Sequence, residues 1–64
     1  MSNLKRIREA AGLSQNKLAK AAGVSPRMIP KYESGEQDIN KANAITIFKM
    51  AQVLNVRMED LLEL

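Results

Sequence analysis

The residue types that most often carry enzymatic or metal chemistry are missing from this chain. Its 64 residues include no cysteine and no histidine. That composition excludes disulfides, thiolate catalysis, a Cys/His zinc site and a histidine-based catalytic triad. The carboxylates of Glu59, Asp60 and Glu63 fall in one short segment beside no nucleophile, which predicts a solvated acidic helix start. We therefore expect no enzymatic activity, no metal and no cofactor.

Positive charge is concentrated in the first half of the sequence. Residues 1–35 carry seven Lys or Arg against two Asp or Glu, and residues 36–64 carry three against five. A basic half of this kind favours a polyanionic partner, with an ordinary mixed surface as the alternative. Tyr32 and Phe48 are the only aromatic residues, too few for the stacking platforms of single-strand readers.

The length of the chain and the glycines and prolines between its apolar segments predict one all-α domain, a compact bundle of five short helices. The glycines interrupt apolar residues whose spacing is helical. Ser14, Ser25 and Asp38 are expected to cap the second, third and fourth helices, and Pro26 suits a first helical position. The predicted helices span 3–11, 14–22, 25–34, 39–54 and 58–63.

Apolar residues at helical spacing predict the core. The expected members are Leu4, Ile7, Leu18, Ala19, Ala22, Ile29, Tyr32, Ala44, Ile47, Met50, Ala51, Leu54, Leu61 and Leu62, with Ala10 or Ala11 one turn after Ile7 and Phe48 at one edge. No segment approaches the roughly 20 apolar residues of a membrane span. The first residues also lack the apolar run of a secretory signal. We expect a cytoplasmic protein with no membrane partner and no small-molecule ligand.

Two short helices around a tight glycine-containing turn are typical of a helix-turn-helix. The predicted helices at 14–22 and 25–34 flank Gly23 and Val24 in this way. Gly23 can adopt a positive φ at little cost. Val24 is apolar in a turn, so we expect it to fill the junction between the two helices.

Several motifs follow one another at fixed spacing between residues 13 and 35. They are Leu13-Ser14-Gln15, Leu18-Ala19, Gly23-Val24-Ser25, Ile29, and Glu33 followed by Gly35. This stretch resembles the Cro/repressor-type helix-turn-helix (XRE) family, and the resemblance extends over about residues 3–63. It implies a lambda-repressor-like fold.

The same resemblance implies double-stranded DNA binding by a transcriptional repressor, often a dimer on a palindromic operator. The helix at 25–34 would be the recognition helix, with its N-terminal part in the major groove. The residues that would contact DNA are Gln15, Ser25, Pro26, Arg27, Met28 and Lys31. Arg27 would pair with guanine, Met28 would touch a thymine methyl, and Gln15 would contact a phosphate. The alternatives are solvated surface positions, and for Met28 a gap-filling role in the core.

Arg8 and Glu33 carry opposite charges in separate helices. The family resemblance implies a structural ion pair between them, joining the first helix to the end of the third. A DNA contact is the alternative for Arg8.

Pro30 departs from the family pattern, which has a polar residue there. A proline in a helix interior costs about 3 kcal/mol or more. A start near Arg27 would place Pro30 in the first turn, where it costs little. We therefore predict a delayed, bent or tightened first turn, which shifts Pro26 and Arg27 relative to the DNA groove.

The segment from Glu33 to Ala51 is about three residues longer than the family spacing. An extra turn at the start of the fourth helix would use these residues. Lys41, with Gln37 and Asn40, would then lie near the DNA backbone; a solvated helix start is the alternative.

A protein-interaction module on the same scaffold is the competing hypothesis, with DNA binding weakened by Pro30. It requires an exposed apolar patch, for which Ile45, Val53, Met58 and Leu64 are the candidates. The same residues are candidates for a homodimer interface around the fifth helix.

Overall fold

Four α-helices and two 3₁₀ segments, joined by short loops, are present in residues 2–64, the part of the chain that a computed structural model describes. The α-helices are α1 (Asn3–Ala10), α2 (Gln15–Ala22), α3 (Met28–Ser34) and α4 (Ala44–Leu54), and the 3₁₀ segments span Ile39–Lys41 and Met58–Leu61. No strand occurs in these residues, so the all-α prediction is confirmed. The expected count of five α-helices is wrong, because the last segment forms only a 3₁₀ turn. None of the helices described is long and apolar enough to cross a membrane.

Serine side chains fix the starts of α1 and α2. Ser14 Oγ accepts a hydrogen bond from the Lys17 N–H at 3.0 Å, as expected of an N-cap. Ser2 Oγ accepts one from the Lys5 N–H at 2.9 Å. Gly23 then ends α2 with a φ of 67°, in the left-handed region where other residues are strained.

The third helix begins at Met28, later than the caps in the sequence suggested. The prediction that Ser25 caps it and that Pro26 is its first residue is wrong. Ser25 instead closes a turn, since its Oγ accepts the Arg27 N–H at 3.3 Å and its carbonyl accepts the Met28 N–H at 3.1 Å. Pro30 becomes the third helical residue, where no intrahelical N–H bond is needed. The delayed start predicted from Pro30 is confirmed.

The two serines should therefore differ in their effect on stability. Ser14→Ala is expected to lower the free energy of unfolding by about 1 kcal/mol, because it removes the side-chain cap of α2. Ser25→Ala is expected to cost clearly less, since the start of α3 has no side-chain cap. Urea unfolding followed by circular dichroism measures both losses. Equal losses would contradict these cap assignments.

The stretch 39–54, predicted to be one helix, is divided in two. Asp38 does act as a cap, but of the first 3₁₀ segment, where its Oδ1 accepts the Asn40 N–H at 2.9 Å. Asn43 Oδ1 accepts the Ile45 N–H at 2.8 Å and starts α4. The prediction of one long helix is wrong because each of these two capping side chains begins its own turn.

Hydrogen bonds tie the C-terminal residues to the rest of the domain. The Asn3 N–H donates to the Glu63 carboxylate at 2.6 Å, and the Asn3 side chain donates to the Leu62 carbonyl at 2.8 Å. Asn40 and Glu63 exchange two hydrogen bonds of 2.8 and 3.0 Å. The first 3₁₀ segment and both ends of the described chain therefore meet.

The core lies where the helices converge. α4 packs on α2 and on the second 3₁₀ segment, and α1 packs on α3 and on the same segment. The fully buried side chains are Leu4, Leu18, Ile29, Met50 and Leu61, all predicted core residues. Ala44 was wrongly placed in the core, because it is the exposed first residue of α4. The same holds for Ala10 and Ala11, which are exposed at the C-terminal end of α1. Ile39, 3% exposed, is a core residue that the sequence analysis did not include.

Only part of the predicted apolar patch is exposed. Val53 and Met58 are partly buried against the core, so their place in an exposed patch was wrong. Ile45 and Leu64 are exposed, at 63% and 97%. Phe48, expected at one edge of the core, is 51% exposed on α4.

Candidate nucleic-acid interface

The predicted helix-turn-helix consists of α2, a turn over residues 23–27, and α3. Val24 is partly buried against the core, and its N–H donates to the Ala19 carbonyl at 3.0 Å. The roles expected for Gly23 and Val24 are therefore confirmed. Together they hold α3 against α2 and leave one side of α3 in solvent.

Four residues form this solvent side, which we call the outward face of α3: Arg27, Pro30, Lys31 and Ser34. Their spacing of three, four and seven residues puts them on one side of a helix. Arg27, Pro30 and Ser34 are exposed, and Lys31 is half-buried. Ile29, fully buried, marks the opposite side.

The other two predicted contact residues of this segment lie on its flanks. Met28 is half-buried and lines a groove together with Tyr32 and with Lys49 of α4. Pro26 lines a separate groove with Lys20 of α2. Both therefore border the outward face of α3 instead of lying along its centre.

Basic side chains around this face are not neutralised by the protein itself. Within residues 2–64, Arg27 takes part in no ion pair, and neither does Lys20, which lines the groove with Pro26. Lys31 Nζ lies 3.8 Å from a Glu36 carboxylate oxygen, in a pair whose two side chains are 44% and 65% exposed. An exposed pair of this kind holds weakly, so a phosphate can displace Glu36.

A buried polar network lies behind the end of α3. Arg8 Nε donates to Glu33 at 2.7 Å and a second guanidinium nitrogen donates at 3.1 Å. The two side chains are only 9% and 4% exposed. Arg8 also donates to the Leu13 carbonyl at 2.7 Å. The predicted structural ion pair is confirmed, and it joins α1, the loop before α2, and α3.

Gln15 belongs to this network, a contact that the sequence analysis missed. Its amide nitrogen donates to Glu33 at 3.0 Å. An amide carries two hydrogens, so one remains for a phosphate, and the contact of Gln15 with DNA stays a prediction. Gln15 lies in α2, whereas the other members of the network, Arg8 and Glu33, lie in α1 and α3. Only the folded arrangement therefore shows that Glu33 holds the Gln15 side chain in place.

The network also determines how Glu33 titrates. Burial by itself raises the pKa of this carboxyl, but hydrogen bonds from Arg8 and Gln15 and the charge of Arg8 outweigh it. The pKa is therefore below its ordinary value of 4.5. A carboxyl of lowered pKa stabilises the fold above its unfolded-state pKa and loses that effect as the pH falls.

Acid should therefore lower the stability of the fold, in part by protonating the Glu33 carboxylate. We expect Tm to fall below about pH 4.5, as the pH approaches the folded-state pKa of Glu33. The reference protein is the variant Arg8→Met/Glu33→Met, which keeps all the other carboxylates. One of these is Asp60, whose pKa is also lowered, by a hydrogen bond from the Arg57 N–H. Calorimetry at several pH values should show the difference between the two proteins shrinking towards pH 3. A constant difference would contradict the assignment.

Lys41 and three further polar residues complete the candidate interface. Lys41 is exposed in the first 3₁₀ segment, next to the Asn40 that binds Glu63, and its proposed contact with DNA stays a prediction. Asn43, Thr46 and Lys49 line the groove beside Met28, and the sequence analysis did not select them. If the sequence analysis had started the fourth helix at Asn43, these three residues would have fallen three positions apart, on one side of that helix.

Comparison with known proteins decides the family. A family model described as Helix-turn-helix matches residues 4–61. The chain belongs to this helix-turn-helix family. It is 29% identical to the restriction-modification controller protein C.AhdI from Aeromonas hydrophila, solved as a high-resolution crystal structure, with a TM-score of 0.80 over 92% of this chain and 85% of that chain. A search of the curated proteins gave no match.

Membership confirms the Cro/repressor-type resemblance and the fold that it implied. This helix-turn-helix protein is thus a DNA-binding protein of the transcription-regulator type.

Proposed function

We propose that this helix-turn-helix protein is a transcriptional repressor of the cytoplasm that recognises specific double-stranded DNA with the outward face of α3 in the major groove. The observation that carries the proposal is Arg27. It is exposed at the start of α3 and has no ion-pair partner among residues 2–64. An arginine in this position can donate two hydrogen bonds to guanine O6 and N7.

Phosphate contacts would set the position of α3 in the groove. Gln15, at the start of α2, and Ser25, in the turn, would lie beside one strand. Lys31 would exchange Glu36 for a phosphate or a base edge. Pro26, Met28 and Lys41 would make contacts at the margins.

A palindromic operator requires two copies of this chain. Their recognition helices would lie about 34 Å apart, one turn of DNA. The Cα atoms span 23 × 22 × 21 Å, so two copies side by side fit that separation. We propose that they meet at the groove between α4 and the second 3₁₀ segment, lined by Phe48, Val56 and Met58.

The dimer surface can be tested with two exposed apolar residues of α4. Phe48→Ser is expected to weaken dimerisation roughly tenfold or more, as for a buried aromatic anchor. Ile45→Ser is the matched control, because Ile45 is also an exposed apolar residue of α4 but lines the groove beside Met28. Sedimentation equilibrium measures both constants. A monomer at all concentrations, or a loss confined to Ile45→Ser, would contradict the proposal.

DNA binding itself is tested by fluorescence anisotropy with a labelled duplex of random sequence at several salt concentrations. Each phosphate contact contributes a slope of about −0.9 to log K against log salt. We expect a steep slope for the unmodified protein. Arg27→Ala/Lys31→Ala should bind more weakly and with a shallower slope, because Lys31 would lose a phosphate contact. A folded protein that binds no duplex at low salt would refute the proposed function.

A further inference from the structure

The outward face of α3 carries one side chain that cannot form a hydrogen bond. Pro30 is exposed and lies one turn after Arg27, with Lys31 and Ser34 beside and beyond it. Proline has no backbone N–H, and its ring offers neither donor nor acceptor. The centre of the candidate DNA-reading face is therefore apolar.

Packing does not require this ring. Pro30 is exposed, whereas the neighbouring Ile29 is fully buried in the core. The late start of α3 makes a proline tolerable at this position, because the third helical residue needs no intrahelical N–H bond. The fold permits Pro30 but gains little from its side chain, which leaves the ring free to act on the DNA side.

The major groove presents one apolar group at the base edges, the C5-methyl group of thymine. A proline ring loses almost no side-chain entropy when it is held against such a group. Resting on the proposed function, we propose that Pro30 is a specificity-determining residue that contacts the C5-methyl group of a thymine close to the guanine bound by Arg27.

The spacing along the helix keeps this thymine near the guanine. Pro30 follows Arg27 by three residues, which is a rise of about 4.5 Å along an α-helix. The methyl group should therefore lie within about one or two base pairs of the guanine. Met28, the residue first predicted to touch a thymine methyl, is half-buried in the groove beside Tyr32. The exposed ring of Pro30 is the better placed of the two.

Uracil scanning tests the contact, because uracil lacks only the methyl group of thymine. A duplex is first selected from a random pool with the full chain, and each thymine is then replaced by uracil in turn. One replacement per half-site is expected to reduce the affinity of the unmodified protein about fourfold, the effect of burying one methyl-sized group. The other replacements should have little effect.

Three variants show whether Pro30 is responsible. Pro30→Ser should bind thymine and uracil duplexes equally, while Pro30→Val, which keeps an apolar side chain, should retain most of the discrimination. Ser34→Ala, on the same face, should discriminate like the unmodified protein. Circular dichroism establishes that each variant is folded.

The possible results separate this inference from the proposed function. Discrimination that is lost in Pro30→Ser and kept in Pro30→Val supports it. Salt-dependent binding with no effect of uracil, or discrimination that survives in Pro30→Ser, overturns the inference alone. Failure to bind any duplex at low salt overturns both.

Discussion

Arg8→Met is expected to lower the free energy of unfolding by about 3–5 kcal/mol, the usual cost of removing one partner from a buried ion pair. The substitution leaves the Glu33 carboxylate, only 4% exposed, with Gln15 as its remaining side-chain donor. A domain of 64 residues has a total stability of roughly 3–10 kcal/mol. The variant should therefore be largely or partly unfolded at room temperature, as urea titration would show.

Two further variants test the physical reason. Arg8→Met/Glu33→Met removes both charges and should recover much of the loss, because no buried charge is left unpaired. Lys31→Met/Glu36→Gln removes an exposed pair and should cost less than about 1 kcal/mol. A cost for Arg8→Met as small as that of the exposed pair would show that this network does not support the fold.

Arg27→Ala is expected to reduce the affinity for a selected operator by roughly 10- to 100-fold, which corresponds to about 1–3 kcal/mol for a bidentate contact with guanine. The fold should be unaffected, because Arg27 is exposed and caps α3 with no side-chain hydrogen bond. Anisotropy with the selected duplex and with a version mutated at the guanine measures the effect. The variant should also lose its preference between the two duplexes.

Arg6→Ala is the matched control for this prediction. It removes the same charge from an exposed position on α1, so it should change affinity by much less. A uniform loss on both duplexes for Arg27→Ala, with the salt slope reduced by about one, would assign Arg27 to a phosphate instead. An effect no larger than that of Arg6→Ala would remove Arg27 from the interface.

The fold was most predictable where both ends of a helix carry a local signal. The bounds of α2 follow from the Ser14 cap and from Gly23, and each acts on its own neighbours. The start of α3 was less predictable because two local signals conflict, the Ser25 cap and the missing N–H of Pro30. The proline prevailed, and the notion of a delayed start was correct. Asp38 led to the wrong start for the fourth helix, because a capping side chain can begin a 3₁₀ turn as well as an α-helix.

The candidate site was predictable as a segment but not as a surface. The sequence placed residues 25–31 in the recognition region, whereas the separation of Met28 and Pro26 from the outward face of α3 depends on how α2 and α4 pack. The bond between Gln15 and Glu33 likewise joins residues of two helices. Such contacts arise from tertiary packing, for which a single sequence gives no local signal.

The central claim is that α3 enters the major groove, and methylation interference tests it most directly. Dimethyl sulfate methylates guanine N7 in the major groove and adenine N3 in the minor groove, the two edges that a bound protein can contact. A selected operator is methylated sparsely and separated into bound and free fractions. We expect guanine N7 methylation to block binding in each half-site, and Arg27→Ala to relieve the effect at one guanine. Interference from adenine N3 alone, or from neither position, would contradict the account.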